Sequence, residues 1–443
     1  MVPATHCATV ALLPWGNVFE DFLDTIGVSL EAFCNEMTGG WLFGYVDALH
    51  LAGMRAFVII FSNRVAAPTR LTHAPTGATI CVLPSSRIFR ATQSIVHSLY
   101  KQTLIQPVGK LGSIRRLLFS RLLFLDRILP YLSTPMRLLV RELKRQDCNI
   151  ILCQEYEYPR FDVCVLLGLL TGLPVFASFQ GGVQERSRFG RFVHSLTLQA
   201  SAGLIIASQS EAQRVRTHYK IPPAKLAHIF NPLDLRMWGA TDRNQARAAL
   251  QIPVEAGVVV WHGRISIHHK GLDILLDAWE LLCRERTERD LRLLLVGTGQ
   301  DAEELRQRLA IKQLRGVQWV NEYLHDRTEI QRCLSVGDVY AFASRHEGFP
   351  VAPLEAMACG LPVVATDVQG IADIFEGGEA SGGIVVPRED AAALARALGW
   401  VLDNADWGRE LGKRARDRVE ASLSLEAVGE QLRTVLLNGK CRH

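Results

Sequence analysis

The feature that most constrains the fold is a regular alternation of short apolar segments with amphipathic segments between residues 257 and 365. The short segments are rich in Val, Leu and aromatic residues, which is typical of buried strands, and the others have helical spacing. Strands connected through helices run parallel, so the alternation predicts a doubly wound α/β sheet. The predicted strands are 257–262, 291–296, 317–320, 338–342 and 362–365, with helices at 271–286, 301–314, 326–336 and 351–359.

The first half of the chain repeats this alternation less regularly. A strand at 8–13 is followed by an insertion, residues 15–38, before Gly39-Gly40 and a helix at 41–52. The pattern predicts a second sheet of the same class. Its further strands are predicted at 56–61, 149–153, 173–178 and 203–208, and its further helices at 163–171 and 210–219.

A chain of 443 residues is too long for one ordinary core, so we expect separate domains. The polar, proline-containing segment 228–238 is typical of a hinge between them. After residue 391 the sequence is helical with glycine breaks. We therefore predict domains at 1–229 and 230–418, with a C-terminal helix at 419–443 that packs back on the first domain.

The cysteines and the apolar segments indicate a cytoplasmic protein. The ten cysteines include no C-x-x-C pair, which favours reduced thiols over a disulfide or zinc framework. No Lys or Arg precedes the first apolar stretch, so we expect no secretory signal. The longest apolar run, 163–179, is broken by Thr171 and Pro174 and is too short for a membrane span.

The basic residues are concentrated in the first half of the chain. Residues 1–230 hold 23 Lys and Arg against 14 Asp and Glu, whereas residues 231–443 hold 26 against 31. Segment 110–145 alone has nine basic and two acidic residues among Leu, Ile and Phe. It predicts two cationic amphipathic helices broken near Pro130 and Pro135, which either dock on an anionic membrane surface or cover the sheet with a solvated face.

Several predicted strand ends carry groups suited to a phosphorylated ligand. Gly263 and Arg264 follow strand 257–262, and Lys270 opens the next helix. Glu347 and Glu355 flank a helix start where Pro350 fits the first position and where free N–H groups suit a phosphate. Gly297 and Gly299 follow strand 291–296, and Gln180 follows strand 173–178.

Each of these signals also has an ordinary structural explanation. Arg264 and Lys270 are also compatible with solvated surface charge, the glycines with tight turns, and Glu347 and Glu355 with helix capping. The signals gain weight together, because the C-terminal ends of parallel strands lie at one edge of a sheet.

The chain resembles the retaining family 4 glycosyltransferases of the GT-B fold. The resemblance is close over residues 200–400 and looser over 39–200. It implies two doubly wound, Rossmann-like domains that face each other across a cleft. It depends on the E-x7-E spacing of Glu347 and Glu355 and on the segments HEGFPVAPLEAMACGLPVVATDVQGIADI, GRISIHHKGLDILLDAW, LLLVGTGQDAEEL, NPLDL and AGMRAFVII.

The resemblance implies a role for each matching residue. Arg264 and Lys270 would neutralise the leaving nucleoside diphosphate, so that no metal and no other cofactor is expected. Glu355 would accept hydrogen bonds from the ribose, and Glu347 would lie near the transferred sugar. Gln180 stands where many relatives have His and would contact the acceptor. The remaining donor-binding residues would be Gly39, Gly40, Gly263, Gly297, Gly299, Gly348, Phe349 and Pro350.

The resemblance thus implies a retaining, metal-independent hexosyltransferase. Its N-terminal domain would bind a glycan or lipid-linked saccharide acceptor, and its C-terminal domain a nucleotide-sugar. We expect it in the cytoplasm, peripheral on the inner face of the membrane if segment 110–145 docks there, with no nucleic acid partner. The alternatives are a GT-B epimerase or phosphorylase, and a catalytically silent subunit that binds a nucleotide or a membrane.

Overall fold

The computed structural model describes residues 8–26, 28–37, 40–93, 128–181, 186, 188–239, 241–324, 326–347 and 349–438. The chain divides into two compact units. The first takes in residues up to 206, residues 211–232 and the end of the chain from 428, and the second takes in 207–210 and 233–427. None of the described helices combines the length and the apolarity needed to cross a bilayer.

The first unit is built on an eight-stranded sheet in the order β3-β4-β2-β1-β5-β6-β7-β8. The neighbouring strands run parallel except β3 and β4, which are antiparallel. Strand β1 is buried along its whole length and pairs with β2 on one side and β5 on the other. The strands are β1 (Thr9–Pro14), β2 (Arg55–Ser62), β3 (Thr69–Thr72), β4 (Thr79–Pro84), β5 (Ile150–Gln154), β6 (Val175–Ser178), β7 (Gly203–Ile205) and β8 (Leu226–Ala227).

Helices of the first unit include three that cover one face of this sheet. Apolar residues of α4, α5 and α6 pack in one cluster with inward residues of β1, β2 and β5. A π-helical turn, Gly40–Gly44, precedes α3. The helices are α1 (Phe19–Ile26), α2 (Leu30–Asn35), α3 (Tyr45–Leu51), α4 (Met136–Arg145), α5 (Pro159–Thr171), α6 (Arg188–Ala200) and α7 (Gln209–Tyr219), with 3-10 turns at Leu129–Leu132 and Pro223–Lys225.

The second unit is built on a six-stranded parallel sheet in the order β11-β10-β9-β12-β13-β14. Its central strand, β9, is fully buried. The strands are β9 (Gly257–His262), β10 (Leu291–Val296), β11 (Val317–Val320), β12 (Val339–Phe342), β13 (Val363–Thr366) and β14 (Gly383–Val386).

The helices of the second unit follow its strands in the predicted alternation. They are α8 (Arg243–Ala249), α9 (Ile267–Lys270), α10 (Leu272–Glu285), α11 (Ala302–Lys312), α12 (Arg327–Ser335), α13 (Ala352–Ala358), α14 (Ile371–Ile374), α15 (Ala391–Asp403) and α16 (Ala405–Leu423), with a 3-10 turn at Gly378–Ser381. The last helix, α17 (Leu425–Asn438), lies against α3, since a Cβ at Gly429 would stand 2.2 Å from the Ala48 carbonyl oxygen.

Two local predictions were wrong. Helix α13 begins at Ala352 with Pro353 in its first turn, so Pro350 lies in the preceding loop and not at the first helical position. The C-terminal helices are separated at Asn404 and Ser424 and not at glycines. Ser424 Oγ accepts a hydrogen bond from the Ala427 N–H (3.1 Å), and such a cap starts a new helix.

The cationic segment 110–145 is described only from residue 128. Its described part forms the 3-10 turn Leu129–Leu132 and then α4, which begins directly after Pro135 as the sequence predicted. The predicted helix over 110–127 lies outside the described residues.

Candidate functional site

The candidate site lies where the strand order of the second sheet reverses. From β9 the chain passes to β10 on one side, while β12 pairs with the other side of β9. Open α/β sheets bind ligands at such a point of reversal, at the C-terminal ends of the strands. The edge formed there by β9, β12 and the loops that follow them is called the crevice. The predicted residues Gly263, Arg264, Lys270 and Glu347 all lie in these two loops and the short helix α9.

Glycines allow the loops after β9 and β10 to touch backbone to backbone. Gly297 has φ of +130°, and a Cβ there would stand 2.0 Å from the Gly263 carbonyl oxygen. A Cβ at Gly299 would stand 2.3 Å from the Ile265 carbonyl oxygen. The Ile265 N–H donates to Thr298 O (2.9 Å) and fixes this contact. One side of the crevice is thus bare backbone, as close approach to a phosphate requires.

Lys270 and Glu347 form an ion pair between α9 and the loop that follows β12. Lys270 Nζ donates to Glu347 Oε1 at 2.7 Å, and the buried hydroxyl of Ser344 donates to the same oxygen at 2.7 Å. The Glu347 side chain is 10% exposed and that of Lys270 21%. The ammonium is therefore held in place by the carboxylate while part of it still faces solvent.

Arg264 adds a second positive charge at the same edge of the sheet. Its side chain is exposed. Burial lowers the pKa of His269, and the positive charges of Lys270 and Arg264 lower it further. Glu347 opposes this shift, and the pKa of His269 remains below its ordinary value.

Glu355 lies in the first turn of α13 and is held by the last residue of β9. His262 Nε2 donates to Glu355 Oε2 at 2.8 Å. The hydroxyl of Tyr340 donates to the His262 carbonyl oxygen (3.2 Å), and burial raises the pKa of this tyrosine. His262 thus fixes the Glu355 carboxylate through one of its two oxygens, Oε2.

Arg345 ties the loop after β12 to helices α9 and α10. Its guanidinium donates to both carboxylate oxygens of Asp273, at 2.7 and 2.8 Å, and to the His268 carbonyl oxygen at 2.9 Å. Its own backbone N–H donates to His269 O at 3.0 Å. Burial raises the pKa of Asp273, but the hydrogen bonds from Arg345 outweigh it and leave the pKa below its ordinary value. The bidentate pair of Arg345 and Asp273 therefore fixes the loop that carries Glu347 relative to the helix that carries Lys270.

The loop before α13 packs on a later turn. Gly370 has φ of +87°, and a Cβ there would meet Pro350 Cδ at 2.8 Å and Phe349 Cδ2 at 3.2 Å. Phe349 and Pro350 are thus kept near the start of the helix that carries Glu355. Gly348 lies outside the described residues.

Gln180, one of the predicted residues of the first unit, belongs to a polar cluster within that unit. Gln180 Nε2 donates to Ser178 Oγ and to Asn231 Oδ1 (both 3.1 Å), and Asn231 Nδ2 donates to Gln180 Oε1 (2.9 Å). The Tyr45 hydroxyl also donates to Asn231 Oδ1 (3.0 Å). The Gln180 amide is therefore engaged by protein groups, and acceptor contact stays a prediction.

Glu155 contacts the backbone of Gln180 in the same unit. The Gln180 N–H donates to Glu155 Oε2 at 3.0 Å, and Glu155 has φ of +117°, a strained conformation for a residue with a side chain. Gly40 begins the π-helical turn that follows α2. Gly39 lies outside the described residues.

Sequence reasoning missed four residues that support these groups. His262 and Glu155 stand at or directly after the ends of buried strands, where a polar residue is a usable signal. Ser344 and Arg345 follow the end of β12 after one residue, Ala343, and carry the same signal. In the described part of the chain, no group of three or more His, Cys, Asp or Glu side chains is arranged to hold a metal ion.

Two family models match the sequence, one in each half. A model described as glycosyl transferases group 1 matches residues 256–404, and one described as glycosyltransferase family 4 matches residues 100–236. The first model covers β9 to α15 and includes every residue of the crevice after β9 and β12.

Curated relatives point the same way. A D-inositol 3-phosphate glycosyltransferase of Jonesia denitrificans is 30% identical over 230 residues, which is 49% of this chain and 53% of the relative. An alpha-maltose-1-phosphate synthase of Mycolicibacterium smegmatis is 28% identical over 265 residues, 57% of this chain and 66% of the relative. The chain spans about half the length of the first of these relatives.

The solved structure of Anabaena HepE in complex with UDP is similar over nearly the whole chain. The TM-score is 0.66 at 15% identity, with 97% of this chain and 100% of the other covered. At this identity the similarity bears on the fold alone. The chain has the GT-B fold, and its two halves match glycosyltransferase models that support its predicted place in glycosyltransferase family 4.

Proposed function

We propose that the protein transfers a hexose from a nucleotide-sugar to a glycan or lipid-linked saccharide, with retention of configuration, in polysaccharide or glycolipid biosynthesis. The observation that carries the proposal is the Lys270–Glu347 pair in the crevice between β9 and β12. The donor class is supported by the UDP bound to HepE and by the names of the relatives. We infer that the reaction takes place in the cytoplasm, at the membrane surface where the acceptor is lipid-linked.

In the proposed reaction, the bond between the anomeric carbon and the diphosphate oxygen breaks, and the acceptor oxygen bonds to the same face of that carbon. The diphosphate leaves with the electron pair, and the acceptor proton passes to the departing phosphate. Arg264 and Lys270 stabilise the charge that develops on the diphosphate. We propose that these two cations suffice without a metal ion.

The two carboxylates of the E-x7-E pair have different tasks in this proposal. Glu347 holds Lys270 through one oxygen, and we assign its other oxygen to the hydroxyls of the transferred sugar. Glu355 is held by His262 through one oxygen, and we assign the other to the ribose. We assign the backbone of Gly263, Gly297 and Gly299 to contact with the diphosphate.

The test is a screen of UDP-, GDP- and ADP-sugars by thermal shift and by turnover, with and without EDTA. We expect one donor class to raise the melting temperature, because a ligand that binds only the folded state stabilises it. We expect that donor to be turned over in EDTA with saccharide, lipid-linked or phosphorylated polyol acceptors. A chain that no nucleotide-sugar stabilises would contradict the proposal. Stabilisation without turnover would favour the silent subunit, and conversion of the donor itself would favour an epimerase.

The variant Glu355→Ala is expected to bind the nucleoside diphosphate about 10- to 150-fold more weakly, since hydrogen bonds to a charged group contribute about 1.5–3 kcal/mol. Isothermal titration with the nucleoside diphosphate measures the change. Glu303→Ala is the control, because Glu303 is exposed on α11 and pairs only with Arg306 among the described residues. Equal affinity of the two variants would show that Glu355 does not contact the nucleotide.

A further inference from the structure

The first unit exposes a row of large apolar side chains on α5 and α6. On α5, Leu166, Leu169 and Leu170 are 53%, 63% and 75% exposed. On α6, Phe192 and Leu196 are 61% and 51% exposed. The i, i+3 and i, i+4 spacings place the members of each set on one side of their helix. These five residues are called the α5–α6 apolar face.

The inner sides of the same helices already fill the core. Phe161, Cys164 and Val165 of α5 and Leu198 of α6 are buried against the sheet. A hollow of about 220 Å³ opens between the ends of the two helices, with Gly168, Leu173, Val175 and Ala200 in its lining. Several large apolar side chains exposed together on two helices of a folded unit mark an interaction site more often than scattered exposed leucines do.

The exposed charges on α4, α5 and α6 are of one sign, although Asp147, two positions beyond the end of α4, is an exposed acidic residue. The only acidic residues in α4, α5 and α6 are Glu142 and Asp162. Both are buried and paired, Glu142 with Arg70 and Asp162 with Arg186 at 2.9 Å. Among the described side chains of the three helices, the exposed charged ones are Arg137, Arg141, Lys144, Arg145 and Arg191.

The apolar face and the exposed basic residues together indicate which kind of partner fits this surface. Because α4, α5 and α6 cover the same face of the sheet, the basic residues of α4 lie on the same side of the unit as the apolar face. A second copy of the chain across a two-fold axis would bring these cations together without an exposed acidic residue of the three helices to pair with them. Anionic lipid would accept the leucines between its acyl chains and the cations at its headgroups.

We propose that the α5–α6 apolar face, flanked by the basic residues of α4, docks the protein on an anionic lipid surface. The contact is independent of sugar transfer and of segment 110–127. It brings the first unit, and not a membrane-spanning segment, to the lipid.

The test is co-sedimentation of the full chain with vesicles of phosphatidylcholine alone or with phosphatidylglycerol. The wild type should bind the anionic vesicles, and Leu169→Asp/Leu170→Asp should bind them about tenfold more weakly or not at all. The matched control is Val254→Asp/Ile311→Asp, which places two charges at apolar sites of the second unit that are 56% and 81% exposed. We expect the control to bind as the wild type does.

Two further variants test the same contact at other positions. Phe192→Ser/Leu196→Ser repeats it on α6 if the first variant fails to fold by circular dichroism. Lys144→Glu/Arg145→Glu should weaken binding to anionic vesicles and reduce its salt dependence. Unchanged binding of the apolar variants would overturn the proposal and locate the contact elsewhere, including segment 110–127. A wild-type dimer that the apolar variants dissociate, with no vesicle binding, would assign the face to a second copy.

Discussion

Replacement of Lys270 by alanine is expected to lower the rate of sugar transfer by about 10²–10³-fold, the usual effect of removing one group that stabilises transition-state charge. Lys270 Nζ is 2.7 Å from Glu347 Oε1 and is the cation that the structure fixes in the crevice. Arg264 cannot fully replace it, because its side chain is exposed and its charge is screened by solvent. Steady-state transfer from the donor identified by thermal shift measures the loss.

Two controls separate charge stabilisation from structural damage. Lys312→Ala removes a lysine of the same unit that also pairs with carboxylates, at 2.7 Å from Glu280 and 3.0 Å from Asp277, and should leave the rate unchanged. Lys270→Ala also leaves the nearly buried Glu347 without its cation, which destabilises the fold. The double variant Lys270→Ala/Glu347→Gln should regain melting temperature but not activity. A Lys270→Ala enzyme with the wild-type rate would refute the assigned role.

The second sheet could be predicted closely because its chemistry is local. Strands β9, β10 and β11 have the predicted bounds. For β9 and β10 the reason is that parallel strands covered on both faces are largely apolar runs that end at turn residues. Strand β14 was not predicted, because its four residues, Gly-Ile-Val-Val, are only partly buried and follow a polar turn. The antiparallel strand β3 was missed for the same reason, as most of its residues are exposed.

The contacts within the candidate site could not be predicted in this way. Lys270 and Glu347 are 77 positions apart, and His262 and Glu355 are 93 apart. The sequence placed their strands at one edge of a sheet, but it did not indicate that β12 lies directly beside β9. That order decides which carboxylate meets Lys270 and which meets His262, so the pairs follow from topology and not from spacing.

Gly271 depends on the same strand order, because it packs against the residue that follows β12. Gly271→Ala is expected to destabilise the second unit by roughly 2–5 kcal/mol. Gly271 joins α9 to α10 with φ of +60° and ψ of 32°. The left-handed conformation costs an alanine about 1–2 kcal/mol. Its Cβ would also stand 1.9 Å from the Ala343 carbonyl oxygen, at the end of β12, and relief of such overpacking costs about 1–3 kcal/mol more.

Gly360→Ala isolates the second cost, because Gly360 has φ of +75° in the same unit, but a Cβ added there would meet no described atom within 4 Å. The stability of Gly360→Ala should fall only by the conformational cost, about 1–2 kcal/mol, and the variant should keep the wild-type transfer rate. Gly271→Ala should lose both stability and activity, since retreat from Ala343 carries the preceding Lys270 away from Glu347. Chemical denaturation and transfer assays of the two variants decide the matter. Equal destabilisation, with activity intact in both, would mean that the contact between Gly271 and β12 does not position Lys270.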